Sequence, residues 1–328
     1  MNPLVSVIIP VFQGARIIVG AVSSALNQTY RNIEVIVVND GSTDETQAVL
    51  KTIADPRLHV LSQANQGTAA ARNLALAQAK GSYVAFLDSD DRWLPDKIES
   101  EVRTLQNVPE QIGVAYSSYF AVDDAGRLLN LAPARSTAGY ALEELLDGDD
   151  YLMPSLCLFD RRIFDAIGTF NVGRYHEDHE FILRVTRQFP IFPTARRLTV
   201  YRQSTSGKCR AILSDFERAR REELSLLEDL TGTFTPAQLE RLRRNVLRSL
   251  YCRFLMYGFD EFARRLGNEV DFRTLLTSKK GMLALVFAKT GINFLLLART
   301  TVQTFYIATR QGWWMRELKA RGLDLRYG

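Results

Sequence analysis

The chain has 328 residues, 46% apolar and 24% charged, enough for one large globular domain with an appendage. Its three cysteines, Cys157, Cys209 and Cys252, are odd in number, far apart and without CxxC spacing, which argues against a disulfide scaffold or a zinc site and fits a reducing compartment. The net charge of +4 hides an asymmetry: residues 1–201 carry 18 Lys and Arg against 24 Asp and Glu, a net of −6, and residues 202–328 carry 23 against 13, a net of +10. An acidic front portion suits a metal ion, and a basic rear portion suits something anionic.

Met1-Asn2-Pro3-Leu4-Val5 opens the chain without a charged n-region and long apolar h-region, so no signal peptide is expected and a cytoplasmic location is. The pattern then alternates. Val5–Pro10 reads as a strand, Arg16–Leu26 as a helix, Ile33–Val38 as a strand and Asp44–Ile53 as a helix. Leu58–Leu61 reads as a third strand, Thr68–Ala79 as an alanine-rich helix, and Tyr83–Leu87 as a fourth, buried strand. Strands separated by single helices imply βαβ units and a largely parallel sheet. No GxGxxG occurs after the first strand, so a dinucleotide-binding site is unsupported.

The loops at the strand ends carry the chemistry. Phe86-Leu87-Asp88-Ser89-Asp90-Asp91 loads three carboxylates onto the C-terminal edge of a strand, the edge where open α/β sheets bind ligands. Hard oxygen donors there suit Mg or Mn with a diphosphate as remaining partner; the plainer reading is a strand end before a helix capped by Asp96. Pro10-Val11-Phe12-Gln13-Gly14, Asn39-Asp40-Gly41-Ser42-Thr43-Asp44 and Asn65-Gln66-Gly67 leading to Arg72 occupy the corresponding positions after the other strands. All four segments are expected on one edge.

This combination resembles glycosyltransferase family 2, whose members share the GT-A fold and invert the sugar they transfer. The motifs are SVIIPVF, VVNDGSTDET, NQGTAAARNLAL and FLDSDDRWLPDKIE, close over residues 4–99 and looser to about residue 206. The resemblance implies an α/β GT-A nucleotide-diphospho-sugar transferase fold over residues 1–206, with a basic helical C-terminal domain over 207–328. It implies that Pro10 and Val11 pass over the nucleotide, that Asp40 meets the base, and that Arg72 lies against the base or ribose beside Asn65 and Gly67. Asp88 with Ser89 would bind the ribose, and Asp90, with Asp91 assisting or capping the next helix, a divalent Mg or Mn ion on the diphosphate. Two positions depart from the family pattern: Gln13-Gly14-Ala15 stands where many relatives carry a Glu, and Tyr201-Arg202-Gln203 where relatives often show a His near the metal, leaving the third ligand open.

An inverting transfer also needs a base on the acceptor side. Gly173-Arg174-Tyr175-His176-Glu177-Asp178-His179 is similar to the family's ED motif, after an Ile167-Gly168-Thr169-Phe170-Asn171 segment similar to its GxF turn. Asp178 is the expected base and Glu177 the alternative; an acidic first turn of a helix is the competing explanation. His176 and His179 are read as loop or acceptor-site residues rather than metal ligands.

Beyond residue 206 the pattern is helical: Ala211–Leu230, then Thr235-Pro236-Ala237-Gln238 as a capping-box start to a helix running to Tyr257 and crowded with Arg241, Arg243, Arg244, Arg248 and Arg253. Met282–Ala308 is apolar but interrupted by Lys289, Asn293, Arg299, Thr300 and Gln303, too polar to span a bilayer. With Lys279, Lys280, Arg310 and Trp313-Trp314 it suggests peripheral contact with the inner face of a membrane; a homodimer interface is the alternative. The expected activity is inverting, metal-dependent transfer from a nucleotide sugar, UDP-linked for preference, to a glycan or lipid-linked acceptor in cell-surface polysaccharide synthesis, with no nucleic-acid partner. A sugar-phosphate nucleotidyltransferase and a non-catalytic nucleotide-binding scaffold are the alternatives; Gln13-Gly14-Ala15-Arg16 lacks the Gly-rich signature of the first, and the Asp set speaks against the second.

Overall fold

The computed structural model describes residues 2–108, 112–147, 151–203 and 208–270. In its front half, β1 (Val5–Val11), β2 (Ile33–Asp40), β3 (Leu58–Gln63) and β4 (Tyr83–Phe86) alternate with α1 (Ile18–Leu26), α2 (Thr46–Lys51) and α3 (Thr68–Gln78). The four strands are mutually parallel in the order β3-β2-β1-β4, as the alternating pattern requires. Every residue of β1 and β2 is buried, because helices cover both faces and side chains alternate between them. Ile8, Ile36, Val38 and Phe86 enter one core; Val7, Ile9, Val35 and Val37 enter the other.

Beyond β4 the sheet becomes mixed. β5 (Arg92–Trp93) and α4 (Lys97–Gln106) lead to β6 (Val114–Val122) and β7 (Leu128–Leu131). Then come α5 (Leu142–Leu146), β8 (Cys157–Asp160), α6 (Arg162–Ile167), α7 (Glu177–Gln188) and β9 (Ile191–Arg202). β8 inserts antiparallel between β4 and β6, β9 lies parallel to β6, and β5 closes the order antiparallel to β9. Sequence periodicity reads only the end of β9, from Leu198, because the register of β9 on β6 shifts before that point and Ala195 takes a φ of 54°.

The helices of the rear half are α8 (Lys208–Leu213), α9 (Phe216–Asp229), α10 (Pro236–Tyr257) and α11 (Asp260–Leu266). The single helix expected over Ala211–Leu230 is broken at Ser214-Asp215, where the Asp215 side chain accepts from the Arg218 amide and starts α9. The capping box on α10 forms as expected, the Thr235 hydroxyl accepting from the Gln238 amide and the Gln238 side chain from that of Thr235. Leu226, Leu230, Leu242 and Val246 join the same core as β1 and β4, so these helices pack directly on the front half. Arg241 pairs with Glu143 and Asp147 on and beside α5, Arg253 with Glu223, and Arg243 lies 3.9 Å from Glu269. Those arginines therefore serve internal contacts; Arg244 is exposed. No helix of the described residues is long and apolar enough to cross a membrane. The Met282–Ala308 stretch and its flanking cations and tryptophans lie outside the described residues.

Candidate functional site

The C-terminal ends of β1, β2 and β4 and the first turns of α3 and α7 surround one cavity of about 790 Å³, closed on its far side by α10. Pro10, Val11, Asp40, Arg72, Asp88, Ser89, Asp90, Glu177 and Asp178 all line it. The predicted convergence of loops on one edge is thus the observed geometry.

The loop after β1 is braced by Gln13, the first residue of the Gln13-Gly14-Ala15 segment. Gln13, at a φ of 52°, donates its amide to Ser42 Oγ (2.9 Å) and its side-chain Nε2 to Thr43 Oγ1 (2.8 Å), and its Oε1 accepts from the Asp44 amide (3.1 Å). Phe12 is left 51% exposed at the cavity wall. Gln13 is therefore a strut between two loops.

Asp40 is buried and its carboxylate is largely committed to protein donors. Oδ1 accepts from Gln63 Nε2 (2.7 Å) and the Gln66 amide (2.9 Å), Oδ2 from the Gly67 amide (2.9 Å), while Asn65 Nδ2 donates to the Asp40 carbonyl (3.1 Å). Asn65 and Gly67 do not line the cavity; they form the turn that Asp40 holds and that delivers Thr68 to the wall. Gly41 is required here, since at its φ of 74° a Cβ would stand 2.6 Å from the Asn65 amide nitrogen.

Arg72 is 4% exposed, which removes the solvated-helix alternative. Its Nη2 donates to Asp88 Oδ1 (2.8 Å), its Nη1 lies 3.9 Å from Glu177 Oε1, and its guanidinium sits 5.2 Å from the Phe170 ring centre. Burial opposes its charge, but Asp88, Asp178 and Glu177 outweigh burial and raise its pKa. One buried cation thus ties the strand-end carboxylate to the first turn of α7. Arg72 also lines the cavity itself.

Asp90 faces Asp88, and burial together with that like charge raises its carboxyl to about 6. Asp91 sits beside them but does not line the cavity: it is 1% exposed and its Oδ1 accepts from the Arg202 amide on β9 at 2.9 Å. It neither caps α4 nor faces the ligand space, and burial, then Asp90 and Asp88, push its carboxyl well up. Asp96 stands at the start of α4 without a side-chain capping bond and pairs with Arg196 instead. Tyr201, in the Tyr201-Arg202-Gln203 segment singled out in the sequence, lines the cavity; burial and then Asp91, Asp88 and Asp90 raise its phenol, keeping it protonated. Among the described residues no group of three or more His, Cys, Asp or Glu is arranged as a metal cage. Asp88 and Asp90, as hard oxygen donors crowded together, still fit Mg or Mn, which takes one or two carboxylates and completes its shell with water and substrate phosphate.

On the opposite wall, α7 begins at Glu177 after His176, with Glu177, Asp178 and Glu180 in its first turn. Glu177 is buried toward Arg72; Asp178 is more open, and its Oδ1 accepts from the His179 amide at 2.8 Å. His176 and His179 both line the cavity. Sequence reasoning missed the contributors from the rear half: Glu223 of α9 and Asn245, Arg248, Ser249 and Arg253 of α10. A signal for Glu223 was present, since Phe216, Ala219, Glu223, Leu226 and Leu230 repeat at helical spacing and four of the five are apolar, with a carboxylate on the buried stripe.

The description "Glycosyl transferase family 2" applies to a family model that matches residues 6–168. An uncharacterized glycosyltransferase of Rickettsia prowazekii (strain Madrid E) is 32% identical over 203 residues, covering 58% of this chain and 61% of that protein. The Escherichia coli UDP-Glc:alpha-D-GlcNAc-diphosphoundecaprenol beta-1,3-glucosyltransferase WfaP is 42% identical over 122 residues, 37% of this chain and 48% of that protein. The structure of S. aureus TarS 1–349 in complex with UDP-GlcNAc superposes with a TM-score of 0.59 at 19% identity, over 94% of this chain and 92% of that one, a likeness of fold. The matched segment holds the strands and loops that carry Pro10, Asp40, Arg72, Asp88 and Asp90, and on that ground the chain belongs to glycosyl transferase family 2, with the GT-A fold.

Proposed function

We propose that the chain transfers a sugar from a nucleotide sugar, UDP-linked for preference, to a hydroxyl of a glycan or lipid-linked acceptor, with inversion. The observation that carries this reading is the meeting in one cavity of Asp88 and Asp90 at the strand edge with Asp178 on the facing helix, Arg72 lying between the two sets. The β1 loop at Pro10 and Val11 and the turn held by Asp40 shape the nucleotide end. Asp88 and Ser89 accept the ribose hydroxyls. Asp90, with Asp88 beside it, would hold a divalent Mg or Mn ion, which when bound supplies positive charge to the leaving diphosphate. Asp178 takes the proton from the acceptor hydroxyl as its oxygen bonds to C1 and the C1–O bond to the diphosphate breaks. Glu177, turned toward Arg72, orients that cation.

A lipid-linked acceptor is favoured by the likeness to WfaP and by the +10 charge of residues 202–328, which would hold residues 207–328 near an anionic membrane. A panel of UDP-glucose, UDP-galactose, UDP-N-acetylglucosamine and GDP-mannose with Mn tests the donor reading: at least one UDP-sugar should raise the melting temperature in a Mn-dependent way, and no response to any of them would overturn it. Asp178→Asn should keep that donor response while turnover falls by about a hundredfold or more. Near-normal turnover in this variant would move the base elsewhere.

A further inference from the structure

The first turn of α7 does not stand on the front half alone. The segment before it is fastened to the rear helices at three successive residues: Arg174 Nη2 pairs with Asp229 Oδ1 of α9 at 2.7 Å, Tyr175 packs into the α8–α11 core, and His176 Nε2 lies 3.2 Å from Glu223 Oε2. Glu223 is 5% exposed and also receives Arg253 from α10, so one buried carboxylate binds a loop residue and two helices together. Such a carboxylate is costly to bury, and its two partners compensate it. It stands on the cavity wall two residues, by way of His176, from Asp178.

We infer that Glu223 is a positioning residue for the transfer: through His176, and with the Arg174–Asp229 pair as second anchor, it fixes the residue preceding α7 and so sets where the Asp178 carboxylate meets the acceptor hydroxyl. The inference rests on the reading of Asp178 as base. Its physical content is that acceptor-side geometry is held by α9 and α10, whereas the donor side is held by β1, β2, β4 and Arg72. Loss of the anchor leaves the donor seat intact and misplaces a proton acceptor, and small misplacements of that kind cost rate rather than donor affinity.

The test uses the full chain, with the same four nucleotide sugars as donors, a bacterial lipid extract as acceptor source, and release of nucleoside diphosphate as readout. Glu223→Gln, which keeps shape and loses charge, should bind UDP within about twofold of wild type and lose at least tenfold in turnover. Arg174→Ala, at a site exposed enough to be tolerated, should show a smaller loss of the same kind if Glu223→Gln proves poorly folded. Placed in an Asp178→Asn background, Glu223→Gln should add no further loss, because it acts through that carboxylate. Normal turnover of both anchor variants, a parallel loss of UDP affinity, or fully additive losses in the double variant would overturn the proposal. If Asp178→Asn itself turns over normally, the base assignment fails instead, and the two failures are told apart by that single variant.

Discussion

Arg72 shows how one side chain organises opposing walls. With Asp88 at 2.8 Å and Glu177 at 3.9 Å, the planar fork reaches two carboxylates that would otherwise repel each other across the cavity. Arg72→Ala should destabilise the protein by about 3–5 kcal/mol in urea unfolding, since it leaves buried carboxylate uncompensated. Arg72→Lys should recover part of the stability but little turnover, because an ammonium cannot span both partners. Asp90 is the converse case. Its carboxyl is raised to about 6, so the fold favours the protonated form. The metal-free protein should gain stability as pH falls through about 6, and at pH 7–8 Asp90→Asn should raise its unfolding free energy by about 1–3 kcal/mol while abolishing Mn-dependent UDP binding. A variant no more stable than wild type at pH 8 would show that this carboxylate is not held at a cost. That both residues meet at one edge of the sheet was legible from the motif spacing, and both line the cavity. Their partners were not, because Arg72's contact to Glu177 spans 105 positions and no periodicity encodes it.

At the scale of elements, the parallel front half was readable because each strand carries an apolar run and each connection a helix of ordinary length. β6, β7 and β8 were not, since their antiparallel pairing within residues 114–160 is encoded by neither run length nor alternation. The capping box on α10 was plain from four residues. The role of α10 as a cavity wall was not, because its arginines look alike in sequence and differ only in what α5, α9 and Glu269 offer them. The joint at Glu223 makes the docking of these helices pH-dependent. Burial alone would raise its carboxyl, but Arg253 and His176 override burial and bring it down to about 2. Its contribution is therefore complete above the ordinary carboxylate value near 4.5 and is lost as pH falls toward 2. In Glu223→Gln, that part of the acid-induced loss of stability should disappear, amounting to about 3 kcal/mol between pH 5 and pH 2. Acid unfolding curves of the two proteins that superpose would refute the coupling.

For the whole molecule, the boundary at residue 206 separates net charges of −5 and +9 (19 Lys and Arg against 24 Asp and Glu before it, 22 against 13 after it) more clearly than it separates cores, since Leu226, Leu230, Leu242 and Val246 complete the front core. A cut after residue 206 would expose that apolar face, so membrane binding is better tested by a cut after Val270. Residues 271–328 carry 10 Lys and Arg against 3 Asp and Glu, a net of +7. The full chain should co-sediment with vesicles containing phosphatidylglycerol, more weakly at high salt, and the shortened chain should lose most of that binding, at about 1 kcal/mol per cation near the surface. Equal binding of both chains would refute a lipid role for the last 58 residues.

Because the strand-edge carboxylates and the α10 side chains share one cavity, while residues 174–176 are clasped by α9 and the α8–α11 core, the proposed acceptor wall is not a removable module. A chimaera that exchanges only the rear helices with those of a relative would mate a foreign α9 to a native His176 and lose the seat of Asp178. An exchange that moves residues 173–180 together with α9 and α10, keeping a carboxylate at position 177 for Arg72, would carry the proposed acceptor wall as a unit, so recombination, in the laboratory or in a genome, should succeed at the second pair of breakpoints and fail at the first.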